Sequence, residues 1–239
     1  LIVKILVIFL LFMVGTNSVM ITDVQPISTT DYVLLIDDSS SMAKSDYEPN
    51  RLISAKEISQ RWLTILPNST KVGMAAFSNT IDYEHPLTTD KKSVSRTIED
   101  IELDYSKSGT DLDYAISKGI DMLQQSTRER TLLLLTDGTE EIENDTMQKA
   151  VDEEVRIVAF AIGKEKQIEV DEEYAEYYDA LEFNFTILDN IANKTGGTAY
   201  MVEDETALKE SLNKATYEQT SIPLNSGYYI ALLIMIISI

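Results

Sequence analysis

The sequence has 239 residues, no cysteine, a single histidine (His85) and a net charge of −20 at pH 7. The lack of cysteine excludes disulfides, thiolate zinc sites and a cysteine nucleophile, and one histidine argues against multi-histidine metal sites and a serine–histidine–acid triad. The acidic excess also makes nucleic acid and anionic lipid surfaces poor partners, because both are negatively charged. Most enzyme classes are therefore disfavoured.

Both ends of the chain are apolar. Residues 1–14 carry one charge, Lys4, followed by ten uninterrupted apolar residues. This run is shorter than the roughly 20 residues that span a bilayer, so we expect residues 1–21 to be either a signal peptide or an N-terminal membrane segment. Residues 223–239 are uncharged and mostly apolar. We interpret them as the start of a truncated C-terminal transmembrane helix, with a buried core strand as the alternative.

The distribution of charge predicts on which side of the membrane the central part lies. The whole chain carries −20 and Lys4 is the only charged residue outside residues 22–222, so that stretch carries −21. A cation before the first apolar run, followed by an acidic body, predicts a domain on the extracytoplasmic side of the cell membrane.

Between the two ends, apolar runs alternate with helical patterns. The predicted strands are residues 33–37, 72–77, 81–87, 132–135, 155–162 and 198–202. The predicted helices are residues 51–66, with Trp62 on the apolar face, and residues 91–101, 111–123, 186–194 and 206–221. Pro86 places the strand at 81–87 on a sheet edge. The alternation predicts an α/β fold: a doubly wound, mainly parallel sheet with helices on both faces.

Three polar clusters follow predicted strands or open a predicted helix: residues 37–42 (DDSSSM), 108–111 (SGTD) and 136–138 (TDG). In such a sheet, ligands bind beyond the carboxyl ends of the strands, where the strand order reverses. The clusters offer only hydroxyl and carboxylate oxygens, which are the donors that a hard cation such as Mg²⁺ or Mn²⁺ prefers. Helix caps and turns are the alternative explanation for each cluster taken alone.

In this order, the three clusters resemble the metal-ion-dependent adhesion site of a von Willebrand factor type A domain. The matching residues are Asp37-x-Ser39-x-Ser41-Met42, then Thr110, then Thr136-Asp137-Gly138. The resemblance covers about residues 31–221. It implies that Ser39, Ser41 and Thr110 face the metal, that Asp37 and Asp137 hold it largely through water, and that a partner's Asp or Glu carboxylate completes the shell. The usual glycine pair before the threonine is Ser108-Gly109 here.

Further residues resemble a membrane-anchored subgroup, the Bat (aerotolerance-associated) proteins. They are Asn50-Arg51-Leu52 with Ala55-Lys56, residues 86–90 (PLTTD), Thr195-Gly196-Gly197 and Leu208. This resemblance implies an alternative function, that of a scaffold or assembly subunit in a membrane complex that works with a MoxR-type AAA+ ATPase.

The sequence favours binding over catalysis. A dehalogenase-like phosphatase would need a second Asp two positions after Asp37, where this chain has Ser39. The chain also lacks the GxxxxGK[ST] phosphate loop and the GxSxG nucleophile elbow. We therefore expect a membrane-anchored domain that binds a protein partner through a divalent cation, and not an enzyme.

Residues 164–183 form an acidic segment, with eight acidic residues against two lysines. A solvated acidic loop is the favoured interpretation. A partner-contact loop is the alternative, since tyrosines are interspersed among the acids and tyrosine is enriched at interfaces.

Overall fold

A computed structural model describes residues 30–105, 109–138, 142–163 and 185–220. The strands of these ranges are β1 (Thr30–Asp37), β2 (Val72–Phe77), β3 (Ile81–Thr88), β4 (Glu129–Thr136), β5 (Val155–Ile162) and β6 (Ala199–Val202). They form one sheet in the order β3-β2-β1-β4-β5-β6. Only β3, at one edge, is antiparallel to its neighbour. The mainly parallel sheet and the edge position of β3 are as predicted.

Helices cover both faces of this sheet. They are α1 (Arg51–Ile65), α2 (Lys91–Glu99), α3 (Leu112–Leu123), α4 (Asn144–Asp152), α5 (Phe185–Lys194) and α6 (Glu205–Thr220). One hydrophobic core joins α1, α2 and α6 to the sheet, and the other core joins α3, α4 and α5 to the opposite face. This confirms the predicted two-sided covering. Helix α4 has no counterpart among the predicted elements.

Strand β1 shows why a continuous apolar run was the correct signal for a central strand. Successive side chains of a strand point to opposite faces, so Leu34 and Ile36 enter one core while Val33 and Leu35 enter the other. All eight residues of β1 are buried. A strand covered on both faces therefore shows a continuous apolar run, here residues 32–36, rather than alternation.

Helix α1 is fixed at its start and near its end. The Asn50 side chain caps the helix by accepting a 2.8 Å hydrogen bond from the Ile53 amide. Near the other end, Trp62 is buried, as its place on the apolar face predicted. Its ring meets Tyr32 edge-on at 5.4 Å, and its indole N–H donates a 2.8 Å hydrogen bond to Thr216 of α6. These contacts hold α1 between the sheet and α6.

The strand order reverses between β1 and β4. From β1 the chain moves outward to β2 and β3, and it then continues on the other side of β1 with β4, β5 and β6. Because β1 and β4 are parallel and Ile36 is paired with Leu135, their carboxyl ends lie side by side. The next residues of both strands therefore meet at the edge of the sheet where a ligand site is expected.

Three predicted segments lie outside the described residues: residues 1–21, the acidic segment 164–183, and residues 223–239. Within the described ranges, no helix has both the length and the apolar character needed to cross a membrane.

Candidate metal site

Asp37, the last residue of β1, is completely buried and has both carboxylate oxygens engaged. Its Oδ1 accepts a 2.9 Å hydrogen bond from the Ser39 amide. Its Oδ2 accepts a 2.6 Å hydrogen bond from the hydroxyl of Thr136, the last residue of β4. The turn after β1 and the neighbouring strand thus fix the orientation of this carboxylate.

The hydroxyl groups of the turn connect Asp37 to the second carboxylate. The Oγ atoms of Ser39 and Ser41 lie 3.0 Å apart, and Ser41 donates a 2.6 Å hydrogen bond to Asp137 Oδ1. Ser41 belongs to a short 3-10 helix, Ser40–Ala43, directly after the turn that follows β1. Four of the five predicted ligands therefore lie in one hydrogen-bonded group.

Thr110, the fifth predicted ligand, lies beside Gly138. A Cβ added to Gly138 would come within 3.4 Å of the Thr110 Cγ2 atom and 3.3 Å of the Thr136 Oγ1 atom. Thr110 therefore lies close to the turn that presents Asp137. The Gly138 amide donates to Thr136 Oγ1 at 2.9 Å. The structure thus brings all five residues to one place, and their binding of a metal ion stays a prediction.

Arg51, at the start of α1, is part of the site although the sequence analysis did not assign it there. Its Nη1 donates a 2.6 Å hydrogen bond to Asp137 Oδ2, and its Nε donates to Asp46 Oδ1 at 2.8 Å. A second ion pair joins Arg51 Nη2 to Asp46 Oδ2. This pairing holds the pKa of Asp46 below its ordinary value. The sequence signal for this residue was the Asn50-Arg51-Leu52 motif. That motif supported the resemblance to the Bat proteins but did not indicate a contact between Arg51 and Asp137.

The electrostatics of the metal-free site favour a cation. Burial is the main cause that raises the pKa of Asp37 to about 7, and the nearby negative charge of Asp137 raises it further. Hydrogen bonds from Ser39 and Thr136 act in the opposite direction, because they stabilise the ionised carboxylate. A divalent cation beside Asp37 would favour its ionised form.

The donor set has the chemistry of a hard-cation site. The Ser39 and Ser41 oxygens lie at a hydrogen-bond distance of 3.0 Å, which equals the separation of about 3.0 Å between neighbouring ligands of an octahedron with bonds of about 2.1 Å. Three of the five predicted ligands are hydroxyls. Across the described ranges, no group of three or more His, Cys, Asp or Glu side chains is arranged to hold a metal. Hydroxyl and carboxylate oxygens of this kind suit a hard divalent cation.

Comparison with known proteins gives one family and one relative. Residues 32–140 match the model of the von Willebrand factor type A domain. An uncharacterized protein of Borreliella burgdorferi is 28% identical over 191 residues, which cover 73% of this chain and 54% of that protein. The chain thus spans about half the length of this relative.

The fold is shared with solved structures. An aerotolerance-related membrane protein from Bacteroides fragilis aligns with a TM-score of 0.62 and 21% identity, over 79% of this chain and 99% of that one. BatB from Bacteroides thetaiotaomicron aligns with a TM-score of 0.57 and 23% identity, over 78% and 98% of the two chains.

A third likeness is to a protein with an occupied metal site. Proximal thread matrix protein 1 from the mussel byssus, solved with zinc in its metal-ion-dependent adhesion motif, aligns with a TM-score of 0.55 and 17% identity, over 78% of this chain and 47% of that one. At these identities the three structures show the fold alone. Together with the match of residues 32–140, they show an α/β fold of the von Willebrand factor type A kind.

Proposed function

We propose that this chain is a membrane-anchored domain that binds a protein partner through a divalent cation. The proposed ligands of the cation are Asp37, Ser39, Ser41, Thr110 and Asp137. The observation that supports this most directly is their convergence at the reversal point of the strand order, where Ser41 donates to Asp137 and Ser39 lies 3.0 Å from Ser41. Three separate stretches of sequence supply these residues, so local turn formation alone does not account for the arrangement.

The chemistry of the site is that of adhesion. When bound, the cation would supply a positive centre that accepts an Asp or Glu carboxylate of a partner. The three hydroxyls position the cation without neutralising it, and Arg51 offsets part of the charge of Asp137. No bond is made or broken in this process, and we propose that the protein is not an enzyme. His85 is on the edge strand, where its Nδ1 lies 2.9 Å from the Pro86 carbonyl oxygen.

The alternative function is that of a scaffold subunit in a Bat-type membrane complex that works with a MoxR-type AAA+ ATPase. It is supported by the Bat-like sequence motifs and by the structural likeness to two Bat-related proteins, one of them described as a membrane protein. The two functions share the cation site. They differ in whether the partner is a resident of the same membrane complex.

Partner binding is tested with the immobilised protein and solubilised membranes of its own cells. We expect a specific protein to be retained with millimolar Mg²⁺ and released by EDTA, and moderate salt to weaken this binding only modestly. Thr110→Ala should reduce retention, whereas Thr64→Ala, at an exposed position on α1, should not. Retention that survives EDTA but is lost with added salt would contradict the proposal and would indicate a basic partner on the acidic surface.

The location of the domain is a separate part of the proposal. Its support is Lys4 before the first apolar run and the charge of −21 on residues 22–222 within a total of −20. Protease added to intact cells should digest the domain, with a cytoplasmic marker protein protected as the control. Protection of the domain in intact cells, with digestion after lysis, would show that it faces the cytoplasm.

A further inference from the structure

We propose that Arg51 keeps Asp137 out of direct contact with the cation. In this role the guanidinium holds the carboxylate as a hydrogen-bonded outer group, so that the cation keeps more of its charge for the partner's carboxylate. Arg51 is a positioning residue, because it acts through Asp137. The inference rests on the proposed cation site.

Both oxygens of Asp137 already have protein donors. Oδ1 accepts from Ser41 at 2.6 Å and Oδ2 accepts from Arg51 at 2.6 Å. The side chain of Asp137 is only 1% exposed, so it has little room to turn. Direct coordination would bring one oxygen to about 2.1 Å from Mg²⁺ and would require one of these short hydrogen bonds to lengthen.

Arg51 is itself held on two further sides. Asp46 pairs with it through two nitrogens, Nε and Nη2, which is the bidentate geometry that orients a guanidinium most firmly. Gly163, directly after β5, lies against the same group, since a Cβ added there would come within 3.2 Å of Arg51 Nη2. The Arg51 side chain is 9% exposed. These contacts hold the guanidinium against Asp137.

Asp46 and Asp137 share one positive charge, that of Arg51. Asp46 compensates the positive charge of Arg51, which would otherwise repel a nearby divalent cation. Removal of Arg51 adds one net negative charge and frees Asp137 Oδ2, and both effects strengthen cation binding. Removal of the Asp46 charge leaves Arg51 uncompensated and weakens cation binding. A purely structural role predicts that both substitutions loosen the site and weaken binding alike.

The test uses the whole protein and Mn²⁺ alone. Electron paramagnetic resonance of free Mn²⁺ gives the affinity, and water-proton relaxation reports how many water molecules the bound ion keeps. We expect Arg51→Met to bind Mn²⁺ roughly tenfold more tightly with fewer bound waters, and Asp46→Asn to bind it less tightly. Asp145→Asn, at an exposed position on α4, is the matched control and should change neither quantity.

Two further variants cover the chance that Arg51→Met does not fold, since it leaves two carboxylates without their shared partner. The double variant Arg51→Met/Asp46→Asn removes one charge of each sign, so it should fold more readily and still show fewer bound waters. Arg51→Lys keeps the charge and should retain the wild-type water number more closely than the double variant does.

The outcomes separate the two proposals. Weaker Mn²⁺ binding by both single variants, or an unchanged water number in the double variant, would overturn the role of Arg51 and leave the cation site intact. Absence of Mn²⁺ binding by the wild-type protein would overturn the cation site and, with it, the role of Arg51.

Discussion

The Thr136 hydroxyl donates a 2.6 Å hydrogen bond to Asp37 Oδ2 and thereby joins the carboxyl ends of two neighbouring strands. The same hydroxyl oxygen accepts from the Gly138 amide at 2.9 Å. Thr136 therefore connects the buried carboxylate of β1 with the turn that presents Asp137. This single side chain couples the positions of the two acidic residues proposed to hold the cation.

The pH dependence of cation binding follows from Asp37. Because its pKa is raised to about 7 in the metal-free protein, a cation that binds below that pH must displace a proton. We expect the Mn²⁺ affinity to rise by up to about tenfold per pH unit toward pH 7 and to level off above it. Calorimetry in two buffers of different ionisation enthalpy measures the proton release. Equal heats in the two buffers below pH 7 would contradict this assignment.

The same pKa predicts how the stability of the metal-free protein changes with pH. The unfolded chain releases this proton near pH 4, whereas the folded protein keeps it until about pH 7. The contribution of Asp37 to stability is therefore complete below pH 4 and is lost as the pH rises through 7. Denaturant unfolding with EDTA should show this loss. Asp37→Asn should remove this component of the pH dependence.

Thr136→Val should disturb the site without removing a proposed ligand. The substitution deletes a hydrogen bond that stabilises the ionised form of Asp37, so the pKa of Asp37 should rise further and Mn²⁺ binding should require a higher pH. A buried acceptor without its donor also costs about 1–3 kcal/mol, measurable by denaturant unfolding. Thr64→Val on the exposed face of α1 should show neither effect. An unchanged pH profile would mean that Thr136 does not control Asp37.

Asp137→Ala should abolish saturable binding of Mg²⁺ and Mn²⁺. The substitution removes a carboxylate from the site, and the positive charge of Arg51 is then neutralised less completely. Calorimetric titration measures the loss, and Asp145→Asn provides the matched control. In the wild-type protein, Mg²⁺ should raise the midpoint temperature of thermal unfolding, since a ligand that binds the folded state stabilises it. EDTA should lower this temperature again. Unchanged binding by Asp137→Ala would contradict the site assignment.

Substitution of Trp62 tests how much the packing of α1 against α6 contributes to stability. Trp62→Phe removes its 2.8 Å hydrogen bond to Thr216 and leaves a smaller ring in a buried position, so the free energy of unfolding should fall by about 2–4 kcal/mol. Thr216→Val should remove the same bond at a smaller cost. Urea unfolding of both single variants and the double variant measures their coupling. Additive effects would show that the hydrogen bond contributes nothing to stability.

Much of the fold was predictable from local patterns, because central parallel strands need apolar residues on both faces. The continuous runs in β1, β2, β4 and β5 therefore identified the middle of the sheet, and Pro86 correctly placed β3 at its edge. Helix α4 was missed for a related reason. Only Thr146, Met147 and Ala150 of its residues are buried, so its apolar face is too small to stand out in the sequence.

The meeting of Asp37, Ser39, Ser41 and Asp137 was also predictable, because parallel strands bring their carboxyl ends to one edge of the sheet and two of the polar clusters follow such ends. Thr110 comes from the loop that opens α3. The contact of Arg51 with Asp137 was not predictable in this way. The two residues are 86 positions apart, and no local pattern encodes how the start of α1 is oriented over the end of β4. Only the packing of α1 between the sheet and α6 brings this guanidinium to the carboxylate, because a buried ion pair depends on the relative placement of two elements and not on the propensity of either.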